Sequence, residues 1–197
     1  MFRSTRHQEI PENRWLSLFE LGLLPVDANQ YQWLSDHDSM TERLDAYGLD
    51  PLTIQVKEAR HQPARAEERH FLELPERNWP FVREVLMKVD GRPWLFGRTI
   101  VPCETLQHQG RRLKMLKNRP LGEVLFDCEQ PSRAFIEVAA INSEHWLYPD
   151  DPALLKSTDG ESRLLWARRS LFYFNGKPLL VQEVFLPSCP FKRPDAG

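Results

Sequence analysis

"VREVLMKVDGRPWLFGRTIVP", residues 82–102, decides how this chain folds. Two β-rich runs flank Asp90-Gly91, a dipeptide suited to a two-residue turn whose central residues both take positive φ. The stretch reads as a β-hairpin. A second stretch, "ARRSLFYFNGKPLLVQEVFLP", residues 167–187, repeats the pattern around Asn175-Gly176. A fixed offset lays Asp90-Gly91-Arg92-Pro93 on Asn175-Gly176-Lys177-Pro178, Pro102 on Pro187, Arg83 on Arg168 and Arg98 on Glu183.

Working outward, "DANQYQWLSDHD" (27–38) offers Asp27 as an N-cap, with Tyr31 and Leu34 at helical spacing. "SMTERLDAYG" (39–48) opens on a Ser39-x-x-Glu42 capping box and stops at Gly48. "LTIQVKEARH" (52–61) alternates as a strand does, and the polar "QPARAEERH" (62–70) reads as a loop. "RPLGEVLFD" (119–127) suits a short helix with Pro120 near its first position, and "RAFIEVAAI" (133–141) another strand. Residues 142–165 are polar and turn-rich, as a surface excursion would be.

The 197 residues suit one domain with a sizeable core. A formal net charge of −2 gives no global electrostatic case for nucleic acid or an anionic membrane. No run approaches the ~20 apolar residues of a membrane span, and the N-terminus lacks an apolar leader core. Cys103, Cys128 and Cys189 are widely separated, which suits reduced thiols in a cytosol better than a disulfide framework. The expectation is a soluble, cytoplasmic protein. The six histidines (7, 37, 61, 70, 108, 145) show no paired ligand spacing, and the usual phosphate-loop, dinucleotide, nucleophile-elbow and zinc motifs are absent.

Register follows from the turns. With two-residue loops, Val89 faces Arg92, and counting outward puts Arg83 opposite Arg98 and Arg168 opposite Glu183. Facing residues share one side of a sheet. The second pair can be an ordinary cross-strand salt bridge, whereas two facing arginines repel. Either both guanidiniums reach water at the sheet margin, or a bulge breaks the register, or the two form an anion site for a carboxylate or phosphate. In the last case Glu183 supplies an acid, a base or a hydroxyl acceptor across the pocket. The helix start at Pro120-Leu121-Gly122, whose first turn leaves backbone N–H groups free after the proline, adds a further candidate for anion binding.

Taken in order, "DSMTERL", "VREVLMKVDGRPWLFGRTIVP", "RPLGEVLF", "FIEV" and "ARRSLFYFNGKPLLVQEVFLP" resemble the motifs of the bacterial chorismate pyruvate-lyases, over about residues 30–191. The segment 142–165 is longer than that resemblance leads one to expect. The resemblance implies an α+β fold: a single antiparallel β-sheet with helices on one side and helical flaps over an internal ligand cavity, one domain over 1–197. It implies an enzyme that eliminates pyruvate from chorismate to leave 4-hydroxybenzoate for ubiquinone synthesis, without metal or organic cofactor. By motif, Arg83 would hold the ring carboxylate, helped by backbone N–H groups at Met40 and Leu121. Glu183 would meet the ring hydroxyl or manage the proton, and Arg98 would meet the carboxylate of the enolpyruvyl arm. Because the product keeps a carboxylate and a flat ring, product inhibition is expected, with flap opening limiting turnover. A monomer is expected, with no partner beyond substrate and product.

The competing reading is a ligand-sensing module of the same architecture, binding a carboxylate without chemistry. Only about 30 residues precede the matched region, few for an attached winged helix. Glu183 favours the enzyme, since a sensor needs the arginines more than an acid.

Overall fold

The computed structural model describes residues 10–125, 132–156 and 164–190. Cys128 and His7 lie outside these residues. Seven strands form one sheet: β1 (Leu16–Ser17), β2 (Thr53–His61), β3 (Phe81–Val89), β4 (Arg92–Val101), β5 (Ser132–Ile141), β6 (Leu165–Phe174) and β7 (Lys177–Phe185). Their order is β1-β5-β6-β7-β4-β3-β2, and every paired neighbour is antiparallel.

The two hairpins form as the turn dipeptides dictate. Asp90 and Gly91 sit at φ 47° and 76°, and Asn175 and Gly176 at 51° and 73°. Asp90 also accepts the Leu49 and Asp50 amides at 3.0 and 3.1 Å, which ties the turn to the preceding segment. The hairpins lie side by side because β4 pairs with β7, so the middle of the sheet is built from both.

Among the described residues there are six short α-helices: α1 (Leu18–Leu21), α2 (Ala28–Leu34), α3 (Met40–Asp45), α4 (Ala66–Phe71), α5 (Arg111–Lys114) and α6 (Gly122–Leu125). Asp27 caps α2, and Ser39 caps α3 by accepting the Glu42 amide at 3.3 Å. The fold is α+β as expected, with one change of detail. The buried residues Leu21, Trp33, Leu34, Met40 and Leu44 of the first three helices pack with Val85, Met87 and Val138 on one face of the sheet. Leu113, Val124 and Leu125 of α5 and α6 join Phe172 and Val101 on that same face.

The opposite face is closed by α4, which occupies the stretch expected to be a loop. Its charged sequence hid the reason: Glu68 accepts the Arg65 amide at 2.8 Å and buries its carboxylate against the sheet, while Phe71 packs with Ile100 and Leu180. The excursion 142–165 is likewise more than surface. Leu147 is buried with Ala139, Ile141 and Val184, and β6 begins at Leu165 inside its nominal end.

The expected register holds in one hairpin and fails in the other. Arg168 stands opposite Glu183. In the first hairpin Met87 pairs with Leu95 and Lys88 with Pro93, so Trp94 is an extra residue. Beyond this bulge Arg83 pairs with Thr99 and Glu84 with Arg98, which turns Arg98 to the other side of the sheet from Arg83. Packing accounts for the bulge better than proline does, since Pro178 occupies the corresponding place in the second hairpin without one. The extra residue lets Leu95 enter the core beneath α2 and α3 while Trp94 packs on it, edge-on to Tyr47 at 6.1 Å.

Candidate active site

The pocket lies on the helix-covered face, between the sheet and the starts of α3 and α6. Its floor is Arg83 and Val85 from β3, Gly97 and Thr99 from β4, and Val181 and Glu183 from β7. Ser39 and Met40 close one side, Leu121 and Leu125 another, and Arg133 and Phe172 complete the wall. Of the residues named from sequence, Arg83, Glu183, Met40 and Leu121 meet here.

Arg98 does not. On the opposite face its Nε lies 2.7 Å from Glu68 Oε1 and its NH2 3.0 Å from Glu68 Oε2, with NH1 paired to Glu84. Burial alone would lower its pKa, but the two carboxylates outweigh burial and the net shift is upward. It is a fully compensated cation that fastens α4 to the sheet. The expectation that Arg83 and Arg98 share one anion site is therefore overturned by a single inserted residue.

Arg83 is the contrasting case. It is 4% exposed, and among the described residues no carboxylate lies within ion-pair distance. Its NH2 donates to the carbonyls of Lys117 and Arg119, both at 2.9 Å. Burial without a counter-charge lowers its pKa to about 10. These two bonds latch the α5–α6 connection over the pocket, which sets Leu121 at its rim.

Glu183 is equally buried and is held from β6. Arg168 places Nε at 2.7 Å and NH2 at 2.6 Å from Glu183 Oε2. The other carboxylate oxygen has no protein donor among the described residues, and the side chain lines the pocket. Gly97 is directly opposite Glu183 on β4. A side chain there would fill space beside the carboxylate.

Arg133 is the residue that sequence reasoning missed. Its NH1 donates to the Asp36 carbonyl at 2.6 Å and its NH2 to the Asp38 carbonyl at 3.3 Å. Arg168 NH1 reaches the same Asp36 carbonyl at 2.8 Å, so two arginines strap the α2–α3 connection down and set Met40 over the pocket. Burial, then repulsion from Arg168, lowers the Arg133 pKa to about 10 against the pull of Glu183, Asp36 and Asp38. The only signal in the sequence was one cation opening a strand, which is too common to single out.

The first-turn amides of α3 and the chain entering α6 have no helical acceptor of their own. With Arg83 and Arg133 they make the pocket electropositive around one carboxylate, Glu183. Such an arrangement suits a buried organic anion that also carries a hydroxyl. Among the described residues no group of three His, Cys, Asp or Glu side chains gathers as a metal site. No described helix is long and apolar enough to cross a membrane.

Comparison with known proteins identifies the family. The family model described as "Chorismate lyase" matches residues 12–194. The chorismate pyruvate-lyase of Pectobacterium atrosepticum is 37% identical over 159 residues, covering 80% of this chain and 77% of its own. That of Salmonella gallinarum is 33% identical over 184 residues, covering 93% and 98%. Among solved structures, the effector domain of PhnF from Mycobacterium smegmatis aligns with a TM-score of 0.52 at 16% identity, over 75% of this chain and 88% of that one. The ligand-binding domain of a putative GntR-family transcriptional regulator from Bordetella bronchiseptica aligns at 0.51 and 16%, over 75% and 91%. At such identities these two show the fold alone.

Proposed function

The chain belongs to the chorismate lyase family, and from that premise we propose how its pocket eliminates pyruvate from chorismate to give 4-hydroxybenzoate, the entry step to ubiquinone. The observation that carries the proposal is the meeting of Arg83 and Glu183 in one pocket: a buried guanidinium with no carboxylate of its own, and a buried carboxylate with one oxygen unclaimed.

Arg83 grips the ring carboxylate, and the Met40 and Leu121 amides complete the hydrogen bonds around it. A planar guanidinium already fixed through NH2 still offers its other N–H groups to a carboxylate. The flat ring lies between Val85 and the apolar wall of Leu125 and Phe172. At the ring's far end the free oxygen of Glu183 accepts a hydrogen bond from the hydroxyl.

The reaction breaks the ether bond at the ring carbon bearing the enolpyruvyl arm. The adjacent carbon, which carries the hydroxyl, loses its proton; the two electrons of that C–H bond complete the aromatic ring. The arm leaves with the ether electrons as enolpyruvate and becomes pyruvate on protonation. Aromatisation supplies the driving force, so the protein's task is to bind the reactive conformer in a dry site and hold the charge that develops on the leaving arm. Glu183, hydrogen-bonded to the hydroxyl, stands beside the carbon that loses the proton.

The segments that carry Met40 and Leu121 are latched by hydrogen bonds to Arg133, Arg168 and Arg83. Their opening admits substrate and releases product, and the retained carboxylate and ring make 4-hydroxybenzoate an inhibitor. The test is to mix purified protein with chorismate and chelator and follow both products. Equimolar 4-hydroxybenzoate and pyruvate supports the reading. Ligand binding without either product would make this chain a sensor of the same fold.

A further inference from the structure

Chorismate carries two carboxylates, and Arg83 accounts for one. We propose that Arg133 is the residue that meets the second, on the enolpyruvyl arm, and so lets the pocket distinguish the dianionic substrate from its monoanionic product. The proposal rests on the lyase reading above and assigns the one substrate charge which that reading leaves without a partner.

Three observations converge on Arg133. It lines the same pocket as Arg83 and Glu183, while Arg98 lies behind the sheet and is fully paired with Glu68 and Glu84. Like Arg83, it spends its hydrogen bonds among the described residues on backbone carbonyls, with its guanidinium over the Phe172 ring at 4.7 Å, and among those residues no carboxylate lies within ion-pair distance of it. Its Nε is buried with no hydrogen-bond partner, a donor left over after the latch is made. A half-buried cation whose Nε–H is buried and unspent costs free energy in the empty protein and regains it when an anion arrives.

Position fits as well. Glu183 holds the hydroxyl of the ring carbon next to the one bearing the arm, so the arm's carboxylate must fall near Glu183. Arg133 feels the Glu183 charge, and Arg168, which grips Glu183, shares the Asp36 carbonyl with Arg133. Because the same guanidinium straps residues 36–38, a bound arm tightens the flap over itself. Once enolpyruvate has gone, that contribution goes with it, and the flap is held less firmly over 4-hydroxybenzoate.

The experiment compares two ligands on Arg133→Gln, Arg133→Lys and the wild type, by calorimetric or fluorescence titration. One ligand is 4-hydroxybenzoate; the other is 3-(1-carboxyvinyloxy)benzoate, an already aromatic dianion that cannot eliminate. Arg133→Gln is expected to weaken the dianion about 10–100-fold, the loss of one or two charge-assisted hydrogen bonds, and 4-hydroxybenzoate less than about 3-fold. Arg133→Lys keeps the charge and should recover part of the dianion's affinity. Equal weakening of both ligands would reduce Arg133 to a latch, and no weakening of either would remove it from the site; both overturn the proposal. If Gln prevents folding, the Lys variant carries the same comparison. Failure of the wild type to convert chorismate would count against the lyase reading, while the ratio of the two affinities would still decide the role of Arg133.

Discussion

Arg168 and Glu183 stand directly opposite each other on β6 and β7, with Nε 2.7 Å from Oε2, the arginine fully buried and the glutamate 6% exposed. One carboxylate oxygen is thus committed to structure, and the other has no protein donor among the described residues. Breaking a buried pair from one side leaves an uncompensated charge and costs about 3–5 kcal/mol. Glu183→Gln should therefore lower stability by roughly that amount while cutting kcat by about 10²–10⁴-fold. Urea denaturation, with activity read well below the melting temperature, separates the two losses. A variant as active as the wild type would place the proton chemistry elsewhere.

Arg83 is expected to behave in the opposite way. Arg83→Met removes a buried cation that has no ion pair to lose, so the empty protein should lose less stability than Glu183→Gln does. Ligand binding should collapse: two charge-assisted hydrogen bonds at roughly 1.5–3 kcal/mol each amount to about 100-fold or more in affinity. Thermal unfolding shows both effects together. 4-Hydroxybenzoate should raise the melting temperature of the wild type and leave that of the variant unmoved.

How much of this was legible beforehand turns on single residues. The Asp90-Gly91 and Asn175-Gly176 turns specify two hairpins through backbone geometry alone, and Arg168 facing Glu183 follows by counting, because nothing interrupts that hairpin. Arg98 could not be placed by counting, since the inserted Trp94 reflects packing against Tyr47, a contact 47 positions away along the chain, which no local pattern encodes. Helix α4 was hidden for a related reason. Its charges look like a solvated loop until Glu68 is seen to pair with Arg98 in the interior. Arg133 was unreadable because its meaning depends on the carbonyls of residues 36 and 38, which belong to a segment distant in sequence.

The pairing of Arg98 with Glu68 predicts a strong coupling. Their side chains are 5% and 0% exposed, so Arg98→Met alone strands a buried carboxylate and should cost about 3–5 kcal/mol. Removing both charges, as Arg98→Met with Glu68→Leu, should restore a large part of that loss, since apolar replacement of a buried pair is often close to neutral. A double-mutant cycle in urea measures it. Additive single effects would show that the two charges do not depend on each other.

Gly97 faces both Val85 and Glu183 from the middle of the sheet. A methyl group there would lie 3.2 Å from Val85 Cγ2, so Val85 must give by a few tenths of an ångström. Gly97→Ala should therefore fold, with a methyl group projecting into the pocket. The expected result is 4-hydroxybenzoate binding weakened several-fold, with a modest fall in melting temperature as Val85 gives way. Gly97→Val should weaken it much further. Unchanged affinity in both variants would mean that the ligand does not lie over β4.

His145 supplies a pH signature away from the pocket. It is half-buried between Trp146, stacked at 5.8 Å, and the edge of Trp15 at 6.1 Å, and its Nδ1 accepts the Leu147 amide at 3.2 Å. Burial, with Arg169 adding to it and Glu67 opposing it, holds its pKa below the ordinary histidine value. The folded protein thus resists a proton that the unfolded chain accepts at about pH 6.5. Stability is complete above that pH and is lost as the pH falls through it toward the lower folded value, because there the unfolded state binds more protons. Unfolding in urea at pH 7.5, 6.5 and 5.5 should show a falling midpoint in the wild type. His145→Gln, which keeps an acceptor for the Leu147 amide and has nothing to titrate, should flatten that fall. An identical slope in both proteins would remove His145 as its source.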